Sequence, residues 1–234
     1  MDHKAYEAIK SQEWEQAKAR IEGINNSTDP LVRYKTSRPI IDLKHMLMTS
    51  AEAFRDSTAF YVKDKPGAPY RTITYGQAKE DVDALGTALI SLGLKGKRIG
   101  IIGDNRYEWA ISYLATVCGT GVAVPLDKEL PGDELEQILI VADVECVVCS
   151  KKYEKVFHSI LEKGSSPLRL VIAMDEPKEE KTLFLKELVG RGQELMKQGN
   201  VEFVDAIVDR DVMGILLYTS GTTGVAKGVM LSHG

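Results

Sequence analysis

From Lys97 onward the chain alternates short apolar runs with amphipathic stretches, and this order constrains the fold more than any other feature. RIGIIG is followed by DNRYEWAISYLATVCG, GVAVPL by PGDELEQILIVAD, and VECVVCS by KKYEKVFHSILEKG. LRLVIAM then precedes a charged loop and a further helical pattern near 182–197, and VMGILLY closes the series at 212–218. The apolar runs have strand length, and the stretches between them have helical periodicity. Strands that read as continuous apolar runs are buried on both faces, as in a parallel sheet. The order predicts an α/β fold with a mainly parallel sheet flanked by helices. Asp104 or Asn105 is expected to cap the first of these helices, and Pro131 with the acids after it to open the second.

Upstream the signals are local. Asp42 is a good cap for a helix running to about Phe54. TAFYV at 58–62 and YRTITY at 70–75 flank the turn-rich KDKPGAP and predict a hairpin with a longer loop. Thr74 and Gln77 form a capping box that opens a helix with Val82, Leu85, Leu89 and Leu92 on one face and Gly93 as its stop. Residues 4–22 read as an amphipathic helix, with Tyr6, Ile9, Trp14, Ala17 and Ile21 on one face and Gly23 after it. A membrane-surface role for that helix stays open. Its other face carries as much acid as base, which favours packing on the domain. Asn25–Pro30 is a turn-rich linker. The organisation expected is therefore residues 1–27 as helix and linker, and 28–234 as part of one larger domain.

Bulk properties exclude several classes. A chain of 234 residues can bury a sizeable core. Its net charge of -4 argues against nucleic acid as a partner. No apolar stretch reaches the roughly 20 residues of a membrane helix, and the polar, acidic start is not a secretory signal. The cysteine count of 3 is odd, which fits free thiols in a reducing, cytoplasmic setting. Cys146 and Cys149 form a CxxC, yet they lie in a strand-like run. That spacing sends two strand side chains to opposite faces, so neither a shared metal nor a mutual disulfide is expected. Cys118 reads as core.

The stretch that carries chemistry is YTSGTTGVAKG, Tyr218 to Gly228, directly after the last strand. Glycines let backbone N–H groups approach oxygen atoms closely, successive N–H groups can form an anion-binding nest, hydroxyls add donors, and lysine adds a charge. It is not a Walker A loop, because Ala226 precedes the lysine and Gly228 follows it. No G-x-G-x-x-G follows a strand, which disfavours a dinucleotide site. Composition alone leaves a plain Gly/Ser/Thr surface loop as the alternative.

The string itself closely resembles the signature phosphate loop of the acyl-adenylate-forming (AMP-binding) superfamily, (Y/F)-T-S-G-(S/T)-T-G-x-P-K-G-V. Ala226 stands where proline is usual, which removes no phosphate-binding group. TITYGQAKEDVDALGTAL resembles the family's T-Y-x-E-L segment with Gln77 for the glutamate, GTGVAVPLDKEL its G-A-x-x-V-P-L-D segment, and GDNRYEW the S-x-N-R-x-E-W of long-chain acyl-CoA ligases. The resemblance covers about residues 38–234.

It implies the large N-terminal domain of an AMP-forming synthetase and a two-step reaction. A carboxylic acid, most simply a long-chain fatty acid, attacks ATP to give an acyl-adenylate and pyrophosphate, and the acyl group then passes to coenzyme A. The family's phosphate-binding positions map to Thr219, Ser220, Gly221, Thr222, Thr223, Gly224 and Lys227. Thr219 also matches the threonine that helps hold Mg2+, and Lys227 offsets charge on the departing pyrophosphate. Lys227 and Thr219 are thus the residues assigned to the reaction. The adenine and ribose contacts, the glutamate partner of magnesium and the family's adenylation lysine belong to segments beyond Gly234. The chain alone is therefore expected to be inactive, with weak affinity for ATP. Other adenylating relatives (aryl-CoA ligases, luciferase-like enzymes, peptide-synthetase adenylation modules) and a non-catalytic phosphate-binding module remain alternatives. Oligomeric state is not legible, and peripheral membrane association stays open.

His3, His45 and His158 are expected on surfaces or helix faces. His233 is left between a neighbour of nucleotide and an unordered end. Asp104–Arg106 reads as a helix cap with a solvent-facing arginine, and DEPKEEK at 175–181 as a solvated loop. The run Val229–Leu231 reads as a strand lacking neighbours, which predicts that the last dozen residues are mobile or paired with another copy.

Overall fold

The structure is a computed structural model that describes residues 40–63, 65, 67–219 and 227–234, together with Glu15 and Ala19. The reading of residues 4–22 as an amphipathic helix, the 25–30 linker and the boundary at residue 27 lie outside the described residues.

Helix α1 (Leu43–Ala53) starts as its sequence requires: the Asp42 carboxylate accepts the His45 N–H at 2.7 Å. Strands β1 (Thr58–Val62) and β2 (Arg71–Thr74) pair antiparallel as a separate two-stranded sheet. Helix α2 (Tyr75–Ser91) opens with the expected capping box. Thr74 Oγ1 accepts from Gln77 N at 3.2 Å, and Gln77 Oε1 accepts from Thr74 N at 2.9 Å. Gly93, at φ +76°, makes the turn out of it.

The main sheet holds β3 (Arg98–Ile102), β4 (Val122–Pro125), β5 (Val144–Cys149), β6 (Leu170–Ala173), β7 (Leu183–Phe184), β8 (Ile215–Thr219) and β9 (Lys227–Leu231). Its order is β7-β6-β5-β3-β4-β8-β9. Every neighbouring pair is parallel except β8 and β9. The helices between are α3 (Tyr107–Ala115), α4 (Gly132–Val141), α5 (Lys151–Lys163) and α6 (Leu185–Lys197). The α/β reading with a mainly parallel, helix-flanked sheet is what the structure shows. The sequence reading missed β7, and the last parallel strand begins at Ile215 rather than 212.

Alternate residues of each strand face two separate cores. Ile99, Ile101, Ala123, Cys146, Val148 and Ile172 pack with α1, α2, α3 and α6 on one side. Ile102, Val124, Val147, Cys149 and Val171 pack with α4 and α5 on the other. Cys146 and Cys149 thus lie on opposite faces of β5, as their spacing requires. All three thiols are fully buried, and burial pushes Cys118 and Cys149 up to about 12 and Cys146 higher still. The folded chain is expected to resist a thiol-directed disulfide reagent and to react only on unfolding, and dialysis against a weak chelator is expected to leave no zinc. Rapid labelling in the native state, or zinc retained at one per chain, refutes this.

Two close approaches fix how α2 sits. A Cβ on Gly192 of α6 would lie 1.8 Å from the backbone oxygen of Ala84, and one on Gly86 would lie 2.2 Å from the Phe203 ring. Phe203 is itself buried. Its carbonyl and that of Ala206 accept from the buried Lys44 ammonium at 2.9 and 2.5 Å.

Several sequence readings are corrected or sharpened. Helix α3 has Arg106, not Asp104 or Asn105, at its N-cap, and no side chain caps it. The Asp104 carboxylate instead takes Lys152 at 3.2 Å, and its N–H donates to Ser150 Oγ at 3.3 Å. His45 lies on a helix, as one of the two readings had it, with its side chain buried. The run Val229–Leu231 does not lack a neighbour: it belongs to β9, whose partner is β8 of the same chain. The 175–181 segment is a loop with no buried residue, as read, and it is tethered at three points. Asp175 Oδ2 accepts from Lys151 N, and Glu154 Oε1 accepts from Lys178 N and Glu179 N, each at 2.9 Å.

Candidate active site

Because β8 runs parallel to β4, its Thr219 end lies at the same sheet edge as the carboxyl ends of β3, β5 and β6. This is the edge where open α/β sheets bind ligands. The chain leaves β8 at Thr219, returns as β9 at Lys227, and these two residues face each other across the ladder. Directly opposed antiparallel residues have Cα atoms about 4.5–5.5 Å apart. The structure therefore brings together the two ends of the proposed phosphate grip. Ser220, Gly221, Thr222, Thr223 and Gly224 lie outside the described residues.

The local sequence explains the hairpin. Gly228 faces Tyr218, and a Cβ there would lie 3.1 Å from Leu216 Cδ1 and 3.4 Å from the Tyr218 ring, so glycine lets the tyrosine lie across the strand. Leu216 anchors β8 in the core, whereas every residue of β9 is exposed. Lys227 is exposed at the loop's end and forms no ion pair with another described residue. A solvated ammonium there keeps its charge available for an anion.

His233 is docked, not unordered. Its Nδ1 accepts the Leu43 N–H of α1 at 3.3 Å, and its backbone N–H donates to Arg210 O at 3.1 Å. The ring packs on Gly214, where a Cβ would lie 2.5 Å from Nε2. Burial lowers its pKa, opposed by the nearby Asp42 charge. Sequence reasoning could not find this contact, because no local pattern links His233 to α1.

A second location lies between β3 and β5, where the strand order reverses. Such switch points are common ligand crevices, but here the chain's own groups fill it. A Cβ on Gly103 would lie 2.3 Å from Ser150 Oγ. Arg106 is half-buried rather than solvent-facing, donating through Nε to Glu108 at 2.6 Å and through a terminal nitrogen to Asp175 at 2.7 Å. Burial works against its charge, but the two carboxylates outweigh it and raise its pKa. The same pair lowers Asp175 despite its own burial. An open cleft of about 950 Å³ adjoins, between this cluster and the β1–β2 hairpin, with Tyr61, Tyr70 and Trp109 among its walls.

The family model for AMP-binding enzymes matches residues 47–234. The chain is 31% identical over 186 residues to long-chain-fatty-acid–CoA ligase 5 of Mus musculus, covering 72% of this chain and 26% of that protein. It is 28% identical over 253 residues to the mitochondrial medium-chain acyl-CoA ligase ACSF2 of Pongo abelii, covering 95% of this chain and 41% of that one. The chain therefore spans between about a quarter and two-fifths of these relatives. Its fold matches the solved anthranilate CoA ligase AuaEII with a TM-score of 0.70, at 23% identity over 82% of this chain and 35% of that structure. A sequence match that starts within α1 and takes in the whole Tyr218–Gly228 loop agrees with the sheet that presents that loop at its carboxyl edge: the chain belongs to the AMP-binding enzyme family.

Proposed function

We propose that this chain supplies the phosphate-binding part of an ATP-dependent acid–thiol ligase. That enzyme would activate a carboxylic acid, a long-chain fatty acid before other acids, to an acyl-adenylate and then to acyl-CoA. The observation that carries the reading is the placing of Thr219 and Lys227 as facing partners at the mouth of the Gly/Ser/Thr-rich loop, at the carboxyl edge of the sheet. Attack of a carboxylate on the α-phosphorus brings two anions together and expels pyrophosphate. The protein's task is positioning and charge stabilisation. Backbone N–H groups and hydroxyls of 219–224 would hold the β- and γ-phosphates, with Lys227 balancing charge as the pyrophosphate leaves. When bound, Mg2+ would neutralise phosphate charge. By the family resemblance, Thr219 is the residue of this chain that would help hold it. Support for a fatty acid comes from the GDNRYEW segment and from the long-chain ligase relatives. The anthranilate ligase keeps an aryl acid as the second reading.

Lys227→Ala is expected to change folding stability by under about 0.5 kcal/mol, since an exposed lysine makes few contacts. It is expected to weaken transfer by about 1.5–3 kcal/mol, the net contribution of a hydrogen bond to a charged group. In the protein completed by the C-terminal segments its relatives possess, acid-dependent ATP–pyrophosphate exchange measures this. Palmitate is expected to support exchange, with a rate roughly 10- to 150-fold lower in the variant. Equal rates in both proteins would sink the role of Lys227, and exchange with benzoate alone would shift the substrate to aryl acids. The 234-residue chain by itself is expected to show neither exchange nor tight ATP binding.

A further inference from the structure

We propose that His233 is a positioning residue for the phosphate loop, a neutral imidazole that clasps the base of the β8–β9 hairpin to the first turn of α1 and lets go when protonated. The proposal rests on reading residues 219–227 as a phosphate grip.

The geometry singles out this side chain. Among residues 227–234, His233 alone is not exposed, so its ring is the most buried side chain of this segment. At the base of the hairpin, Gly214 N donates to Leu231 O at 2.9 Å, while Gly214 O accepts from Ala123 N of β4 at 3.0 Å. The His233 ring lies on that same Gly214. His233 N and Gly234 N both donate to Arg210 O, at 3.1 and 3.0 Å. The ring itself bridges Gly214, the residue before β8, and the Leu43 N–H of α1, while the backbone around it ties the end of β9 to Gly214 and to the 210 turn. The grip hangs from the opposite end of the two strands, roughly 15 Å away at strand rise, so tilting of the hairpin about its base moves Thr219 and Lys227 together.

The clasp depends on protonation state. The first N–H groups of a helix have no partner within the helix. In α1, Asp42 caps the His45 N–H and His233 Nδ1 accepts that of Leu43. Nδ1 can accept only while it keeps its lone pair. A protonated ring would aim a second donor at the Leu43 N–H, at the positive end of the helix. The charged groups around the ring can be named. From α1, Asp42 favours protonation, the Lys44 ammonium is turned away to Phe203 O and Ala206 O, and His45 Nδ1 accepts from Ile41 N at 3.5 Å. From the 210 turn, the Arg210 guanidinium lies beside Gly234, and Asp209 and Asp211 are exposed. The facing part of β4 is apolar. Burial outweighs Asp42 and holds the imidazole below its ordinary pKa. A histidine depressed in the folded state binds fewer protons there than when unfolded. The clasp is therefore intact above the ordinary histidine pKa of about 6.5 and is lost as pH falls below it toward the folded value.

The test is amide hydrogen exchange of the full chain at pH 7.5 and 5.5, corrected for intrinsic rates, read at Leu43 and Gly214. His233→Asn keeps an acceptor near the Nδ1 position and does not titrate, whereas His233→Ala removes it. In the unmodified chain, protection at both amides is expected to fall at the lower pH by roughly 2- to 12-fold, the range set by one lost hydrogen bond. His233→Asn should show no such fall, and His233→Ala should be open at both values. If the unmodified chain and His233→Asn respond alike to pH, the clasp is wrong, even should His233→Ala fail to fold. Adding saturating ATP and Mg2+ to the protein completed by the segments its relatives possess, rather than to the 234-residue chain, separates the two readings. Protection of the 220–226 amides that weakens with loss of the clasp supports a positioning role. A clasp that responds to pH while ATP protects nothing overturns both the phosphate-grip reading and the positioning role, and leaves only a hinge.

Discussion

Gly192→Ala is expected to destabilise the chain by about 3 kcal/mol, at the upper end of what overpacking costs. The added methyl would lie 1.8 Å from Ala84 O, 2.5 Å from Ala84 C and 2.9 Å from Ala84 Cα. These are backbone atoms of α2, so no rotamer change relieves the contact, and the helices must separate. For a chain of this size the midpoint of thermal unfolding should fall by roughly 6–12 °C. Gly190→Ala on the same helix is the control. Nothing lies within 4 Å of a Cβ there, so the substitution should stabilise by about 0.5–1 kcal/mol through helix propensity alone. Equal melting of the two variants would show that α2 and α6 do not pack as described.

Phe203→Ala should cost about 3–5 kcal/mol in a chemical denaturation series. The ring is 1% exposed, covers Gly86 and Gly119, and carries the Lys44 ammonium 5.5 Å from its centroid. The informative measurement is the pair. Gly86→Ala alone drives a methyl into the ring, whereas in the Phe203→Ala background the same methyl enters vacated space and gains helix propensity. The two changes should couple by roughly 2–3 kcal/mol, in the direction of rescue. Strict additivity would mean that the ring does not lie over Gly86.

What could be read from the sequence was what is decided locally or by period. The capping box at Thr74 and Gln77 was legible because both partners lie within one turn. The opposite faces of Cys146 and Cys149 followed from strand period alone. The cap of α3 was not legible, because Asp104 is drawn away by Lys152 and Ser150, which are distant in sequence. Strand β7 is two residues long, too short for any period to register. Strand β9 was seen as an apolar run, but its partner was missed. Seven intervening residues, 220–226, carry none of the tight-turn chemistry that marks a hairpin. The candidate site was legible as a string, from Tyr218 to Gly228. The facing of Thr219 and Lys227 needed the pairing of the strands, and His233 meets Leu43 only in three dimensions.

The union of β8 with the rest of the sheet has a kinetic consequence. Strand β8 faces β9 along its whole length, yet meets β4 at one facing pair, Ala123 with Ile215. Hairpins between near neighbours in sequence close in about 1–10 μs, whereas the β4 seam must wait for the long excursion through α4, α5 and α6 to fold. The hairpin is therefore expected to form early and dock late. In the native state it should open as its own unit at a lower free energy than the β3–β5 seam, which native-state exchange would reveal as two separate openings. The segment that carries the phosphate loop is then the last to be consolidated and the first to be released, able to swing without unfolding the sheet that supports it.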